Sequence, residues 1–165
     1  MTRLHEYETV VSWTGNRGTG TSGYRDYGRD HDVTAEGPAP IAGSADPTFR
    51  GDPARWNPEQ LLLAALAQCH MLSYLALCSR HGVVVTGYVD RAHGTMALAG
   101  NGGQFTSAVL RPVVRVASAA MVEKATALHH DAHAGCFIAS SVNFPVTHEP
   151  TVTVDGQEAE PPGRA

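Results

Sequence analysis

Apolar residues run from Leu61 to Leu77 with Gln68, His70 and Ser73 as the polar interruptions. Asn57-Pro58-Glu59-Gln60 precedes this stretch and Gly82 follows it. Asn is a good N-cap, Pro suits the first helical position, and Glu and Gln favour the first turn, so the pattern predicts a helix from Pro58 to Arg80. Rich in Leu and Ala and poor in charge, it is expected to be buried on most sides. Upstream, Glu6 to Trp13 is dense in β-formers, and the turn residues from Thr14 to Gly23 imply an antiparallel meander with a weaker strand at His31 to Thr34. Gly37 to Trp56 has no convincing period and reads as a long loop of the kind that often carries function.

Downstream, Val83 to Leu98 reads as one strand bent at Gly87. Asn101-Gly102-Gly103 is a hairpin turn, and Phe105 to Ala117 alternates as the return strand. Ala119 to Ala132 carries a helical stripe of Met121, Ala125 and Leu128, and Gly135 breaks it before another helical turn at Cys136. Val142 to Val154 is read as a last strand. Residues 156–165 are too polar to pack and read as a disordered tail. These elements predict a single α+β domain over residues 1–155.

At 165 residues, the chain can bury roughly two thirds of its unfolded surface in one core. Twelve Lys plus Arg against 16 Asp plus Glu give a net charge of −4 with no basic block, which argues against nucleic-acid binding. The N-terminal residues lack the apolar core of a secretory signal, and the long apolar run is too interrupted for a membrane span. Three cysteines without disulfide-scaffold or zinc-site spacing fit a reducing compartment, so a soluble cytoplasmic protein is expected.

The cysteines hold the most specific chemistry. Cys69 lies about three turns into the helix and Cys136 opens a turn after the second one. Cys78 is nine residues beyond Cys69, about 180° around the helix and about 13 Å along it, which is too far for a disulfide. Cys136 is the natural partner in any intrachain bridge, and Cys78 reads as a small core hydrophobe. A reactive thiol needs a nearby cation or donor, which Arg50 or Arg55 in the preceding loop could supply.

Asn57-Pro-Glu-Gln-Leu-Leu-Leu-Ala-Ala-Leu-Ala-Gln-Cys69 closely resembles the helix signature of the osmotically inducible protein C and organic hydroperoxide resistance family. Ala134-Gly-Cys136-Phe-Ile-Ala-Ser-Ser resembles its second cysteine motif, and Trp13-Thr-Gly-Asn-Arg-Gly-Thr-Gly its first hairpin. The resemblance spans roughly Glu6 to Val154. It implies an intertwined α+β homodimer with antiparallel sheets around long central helices, and thiol-dependent reduction of organic hydroperoxides. On matching positions, Cys69 is the peroxidatic cysteine, Cys136 the resolving one and Glu59 the carboxylate that holds an arginine, with Arg50 preferred to Arg55 as that arginine. Leu62, Leu66, Leu72 and Phe137 are expected to line an apolar substrate pocket. The family implies no bound cofactor or metal and an external dithiol reductant, often lipoyl-type. His70 after Cys69, the additional Cys78 and the loop before Asn57 depart from the commonest family pattern.

Other readings compete. His129, His133 and Cys136 could ligate zinc or another soft metal, although a solvated histidine cluster including His130 is the plainer account. His133 and Cys136 could form a hydrolase pair, but no oxyanion-hole motif accompanies them. A non-enzymatic binding protein of the same fold is the third class. The glycines from Gly15 to Gly23 lack the Lys and the helix of a phosphate loop.

Overall fold

The computed structural model describes residues 4–100 and 102–156. The tail expected over residues 156–165 lies outside the described residues apart from Gly156, as does Asn101 of the expected hairpin turn. The chain divides into two compact units after Leu62, within its long helix.

The first unit is built on a three-stranded antiparallel meander of β1 (Val10–Trp13), β2 (His31–Thr34) and β3 (Ile41–Gly43). The first strand is shorter than the β-formers suggested. The segment 37–56, expected to be loop, contains β3 and a single 3₁₀ turn at Pro47–Phe49. Three residues are too few to create a periodic signal, so this strand exists through its register with β2 and a bridge from Gly43 to Trp56. The connection between β1 and β2 is pinned by local groups. Trp13 Nε1 donates to Gly28 O at 2.9 Å, Asn16 Oδ1 accepts from the backbone N–H of Gly18 and Gly20, and the Arg29 guanidinium lies over the rings of Tyr24 and Tyr27.

Helix α1 spans Pro58–Arg80, as the capping residues predict. Gln60 N–H donates to Asn57 Oδ1 at 2.8 Å and Asn57 N–H to Gln60 Oε1 at 3.2 Å, a reciprocal capping box. Within the single chain it is covered on one side only, less than the expectation of a helix buried on most sides. Only Leu66, His70, Tyr74 and Cys78, one stripe at four-residue spacing, are fully enclosed, while Leu72 is 62% exposed. Uniform hydrophobicity shows which residues could be buried. The protein packed against the helix decides which of them are.

In the second unit the two long strands and the last strand expected from the sequence are each broken in the middle. β4 (Val85–Asp90) and β5 (His93–Ala99) replace the first, β6 (Gly102–Leu110) and β7 (Pro112–Val116) the second, and β8 (Val146–His148) and β9 (Thr151–Val154) the third. The breaks align. Arg91 N–H donates to Arg111 O, Arg111 N–H to Asp90 Oδ1 and Glu149 N–H to Leu110 O, so what would be one three-stranded sheet becomes two, ordered β4-β7-β9 and β5-β6-β8. Each joins an antiparallel pair to a parallel third strand. Pro112 and Pro150 lie at these breaks, where a missing N–H costs no ladder bond.

Helix α2 (Val122–Ala134) completes the α+β unit after a 3₁₀ turn at Ala119–Met121. One core cluster gathers Tyr74, Cys78, Val83, Val114, Val116, Ala125, Leu128 and Ala132. A second holds Leu66 against Ala108, Leu110 and Val146. The α1 stripe serves both, and Cys69 lies between its Leu66 and His70.

Candidate thiol site

Helix α2 stops at Gly135, whose N–H returns to Asp131 O, and the chain turns so that Cys136 follows immediately. The turn is closed by its own small residues. Ser140 Oγ donates to Cys136 O at 3.1 Å and Ser141 Oγ to Phe137 O at 2.7 Å, so the hydroxyls after Cys136 hold local carbonyls and fix the backbone that presents the sulfur. Ala139 N–H points at Cys136 Sγ from 3.5 Å. Cys136 is buried and Cys69 is half-buried on α1, both are free thiols, and they are neighbours. Burial, and then the neighbouring Cys69 thiol, push the Cys136 thiol well above the usual cysteine range against the opposing pull of the Ala139 and Ile138 N–H groups. Cys78 belongs to the core on the far side of the helix, where burial pushes its thiol up and Tyr74 is its neighbour.

His70, next to Cys69, is fully enclosed. Its Nε2 is 3.0 Å from His129 Nδ1, and the two rings are nearly parallel with centroids 5.3 Å apart. His129 stacks on Tyr74 at 3.9 Å. His148 of β8 lies 5.6 Å from His70, and His133 lies 5.2 Å from His148. Burial, reinforced by His148 and His133, lowers His70 to about 4, and burial with His70 and His148 lowers His129 to about 3, so both rings are neutral at physiological pH. His70 Nδ1, His129 Nε2 and His133 Nδ1 are buried without a hydrogen-bond partner. The solvated histidine cluster expected from the sequence is corrected at His129, which is fully enclosed, and its partners His70 and His148 were not expected. Spacing could have found His70, which shares the four-residue stripe with Leu66, Tyr74 and Cys78. Nothing in the sequence marked His148.

The proposed ligand set His129, His133 and Cys136 is not assembled. His129 is engaged by His70 and Cys136 by Cys69, and among the described residues no three His, Cys, Asp or Glu are placed to hold a metal together.

The expected arginine and carboxylate belong to the first unit. Arg50 is exposed, its backbone in the left-handed region at φ 68° as it closes the 3₁₀ turn with an N–H to Pro47 O. Arg55 is half-buried and lies 4.0 Å from Asp30 and 3.8 Å from Asp32. Among the described residues no ion pair joins Glu59 to either arginine. Asp30, just before β2, and Asp32 within it hold Arg55, and Glu59 Oε2 is buried without a partner. The pocket residues divide as well. Leu66 is core, Leu62 is half-buried, and Leu72 and Phe137 are 62% and 82% exposed, so the last two do not line a closed cavity. Both lie off the surfaces that the chain's own core encloses.

Comparison with known proteins gives this geometry a lineage. The family described as OsmC-like protein matches residues 51–151, which include both cysteine motifs. Among solved structures, an OsmC-like protein of unknown function from Vibrio cholerae is 31% identical, with a TM-score of 0.79 over 89% of this chain and 99% of that one. An organic hydroperoxide resistance protein from Elizabethkingia anophelis is similar in fold, at 16% identity and a TM-score of 0.64 over 94% of this chain and 100% of its own. Another from Legionella pneumophila, described as a predicted redox protein, has 15% identity and a TM-score of 0.62 over 93% of this chain and 100% of its own. Among curated proteins the sequence finds no match. A family match across well over half the chain, joined to a 31% identical relative spanning nearly all of it, places this protein in the OsmC-like family.

Proposed function

We propose that the protein is a cysteine-based peroxidase that reduces organic hydroperoxides to alcohols, with Cys69 as the peroxidatic thiol and Cys136 as the resolving one. The observation that carries this reading is the proximity of two free thiols, one half-exposed on a helix and the other buried in a hydrogen-bonded turn. The more accessible sulfur is the one a peroxide can reach. The buried one, pushed up by burial, keeps its proton beside it.

In the first step the Cys69 thiolate attacks one peroxide oxygen and the O–O bond breaks. The departing alkoxide takes a proton, leaving an alcohol and a sulfenic acid at Cys69. Cys136 then attacks the Cys69 sulfur, expelling water and forming the disulfide. Loss of the neighbouring thiolate removes one of the influences that hold the proton on Cys136, so the resolving thiol is easier to ionise once Cys69 is oxidised. An external dithiol, of the lipoyl type by family resemblance, returns both sulfurs to thiols by exchange. The roles of Arg50 as a cation for the thiolate and of Glu59 as its anchor rest on the resemblance.

The working form is proposed to be a cytoplasmic homodimer. α1 is long and apolar enough to cross a bilayer by length and composition alone, but its buried stripe packs in protein. Its remaining apolar surface and the exposed Val10, Val11 and Trp13 of β1 call for a covering partner, which a second copy would supply. Light scattering that gave a monomer mass at micromolar concentration would refute this assembly.

The test of the chemistry is intact mass after one equivalent of cumene hydroperoxide. Reduced wild type is expected to lose two hydrogens, Cys136→Ser to gain one oxygen, and Cys69→Ser to remain unchanged. Wild type recovered with both thiols intact would sink the peroxidase reading.

A further inference from the structure

Cys69 and His70 are consecutive on α1 and point about 100° apart. Each meets a residue of the α2 segment. Cys69 meets Cys136 just beyond the helix, and His70 meets His129 inside it, seven residues before Cys136. α1 is therefore joined to the segment carrying the second cysteine at two points, one the reacting pair of sulfurs and the other a pair of imidazoles that the proposed chemistry does not use.

We propose that the His70–His129 hydrogen bond is a positioning contact that sets Cys69 in register with Cys136 and so favours closure of their disulfide. The proposal rests on the two-thiol reading. The pair has the qualities a spacer requires. Both rings are completely enclosed, His129 is stacked against Tyr74, and the 3.0 Å contact is the one hydrogen bond of either ring among the described residues, so slippage would leave two further buried ring nitrogens unsatisfied. A disulfide demands Cα atoms within a narrow range of about 4.4–6.8 Å, so small shifts of one segment against the other reduce the fraction of molecules able to close it. Neither imidazole touches the reacting oxygen in this scheme, and His70 and His129 are positioning residues.

The contact can be removed without emptying the core. His70→Gln retains an amide nitrogen near the Nε2 position, His70→Asn is one methylene too short, and His129→Phe retains the flat ring on Tyr74 without a nitrogen. The readout is the equilibrium in which the protein dithiol and oxidised glutathione give the Cys69–Cys136 disulfide and two reduced glutathiones, performed on Cys78→Ala protein at pH 7.5. It yields an effective concentration for the two thiols that owes nothing to peroxide chemistry. His70→Asn and His129→Phe are expected to lower that value about three- to tenfold, as befits one net buried hydrogen bond, and His70→Gln to stay within about twofold of the parent. The rate of the first, sulfenic-acid-forming step should be the same in all four proteins. Equal effective concentrations for the Gln and Asn variants would overturn the proposal. Were His129→Phe not to fold, the Gln and Asn comparison decides alone. A protein that closes the disulfide with glutathione but ignores hydroperoxide would refute the peroxidase function and leave the positioning role standing.

Discussion

Burying two neutral imidazoles against each other makes stability depend on pH at values where most proteins are indifferent. In the unfolded chain His70 and His129 titrate near 6.5, whereas folded they are held at about 4 and about 3. Below pH 6.5 the unfolded state therefore binds more protons than the folded one, and stability falls with decreasing pH until the folded values are reached. Stability from this source is complete above about pH 7.5. At pH 5 each ring has lost about 2 kcal/mol and the pair about 4, a large part of the 5–15 kcal/mol typical of a domain. Burial also lowers His148, which adds in the same direction, whereas burial raises Asp90 and opposes it. Tyr74, which faces His129, remains neutral throughout because burial pushes it far up. The measurement is urea unfolding at fixed protein concentration between pH 7.5 and 5.0, above the range where ordinary carboxylates protonate. The expected loss is about 4 kcal/mol for the parent and about half of that for His70→Gln. A stability constant to within about 1 kcal/mol across this range would refute the reasoning, because the two rings could not then be buried and neutral as described.

The capping box at the start of α1 should be worth about 1 kcal/mol, so Asn57→Ala is expected to lower unfolding stability by that amount without altering thiol reactivity. Leu66 is entirely enclosed beside Ala108, Leu110 and Val146, and Leu66→Ala should cost about 2–5 kcal/mol, read by the shift in urea midpoint. A Cβ at Gly51 would collide with the Ala45 carbonyl, a backbone group that cannot swing aside, so Gly51→Ala should destabilise by about 1–3 kcal/mol in the same assay. Cys136→Ser should retain the first reaction with cumene hydroperoxide but accumulate over-oxidised Cys69 on repeated exposure, measurable as added oxygens in the mass spectrum. A Cys136→Ser protein that turns over without over-oxidation would argue against its resolving role.

Local chemistry determined much of this protein. The capping residues and apolar run of α1, the short meander strand at His31–Thr34 and the α+β class follow from side-chain preferences that act within a few residues, as do the opposite faces of Cys69 and Cys78. The cysteine motifs carried the family. Tertiary structure alone decided the rest. Pro112 and Pro150 mark two of the breaks locally, but that three strands break together lies in bonds between strands distant in sequence. The α1 helix is apolar almost all around, and only its neighbours select the stripe of Leu66, His70, Tyr74 and Cys78 for burial. Arg55 answers to Asp30 and Asp32, more than twenty residues earlier, rather than to nearby Glu59. The contacts between Cys69 and Cys136 and between His70 and His129 span 67 and 59 residues, respectively, beyond the reach of any sequence period, and the fold alone brings those groups together.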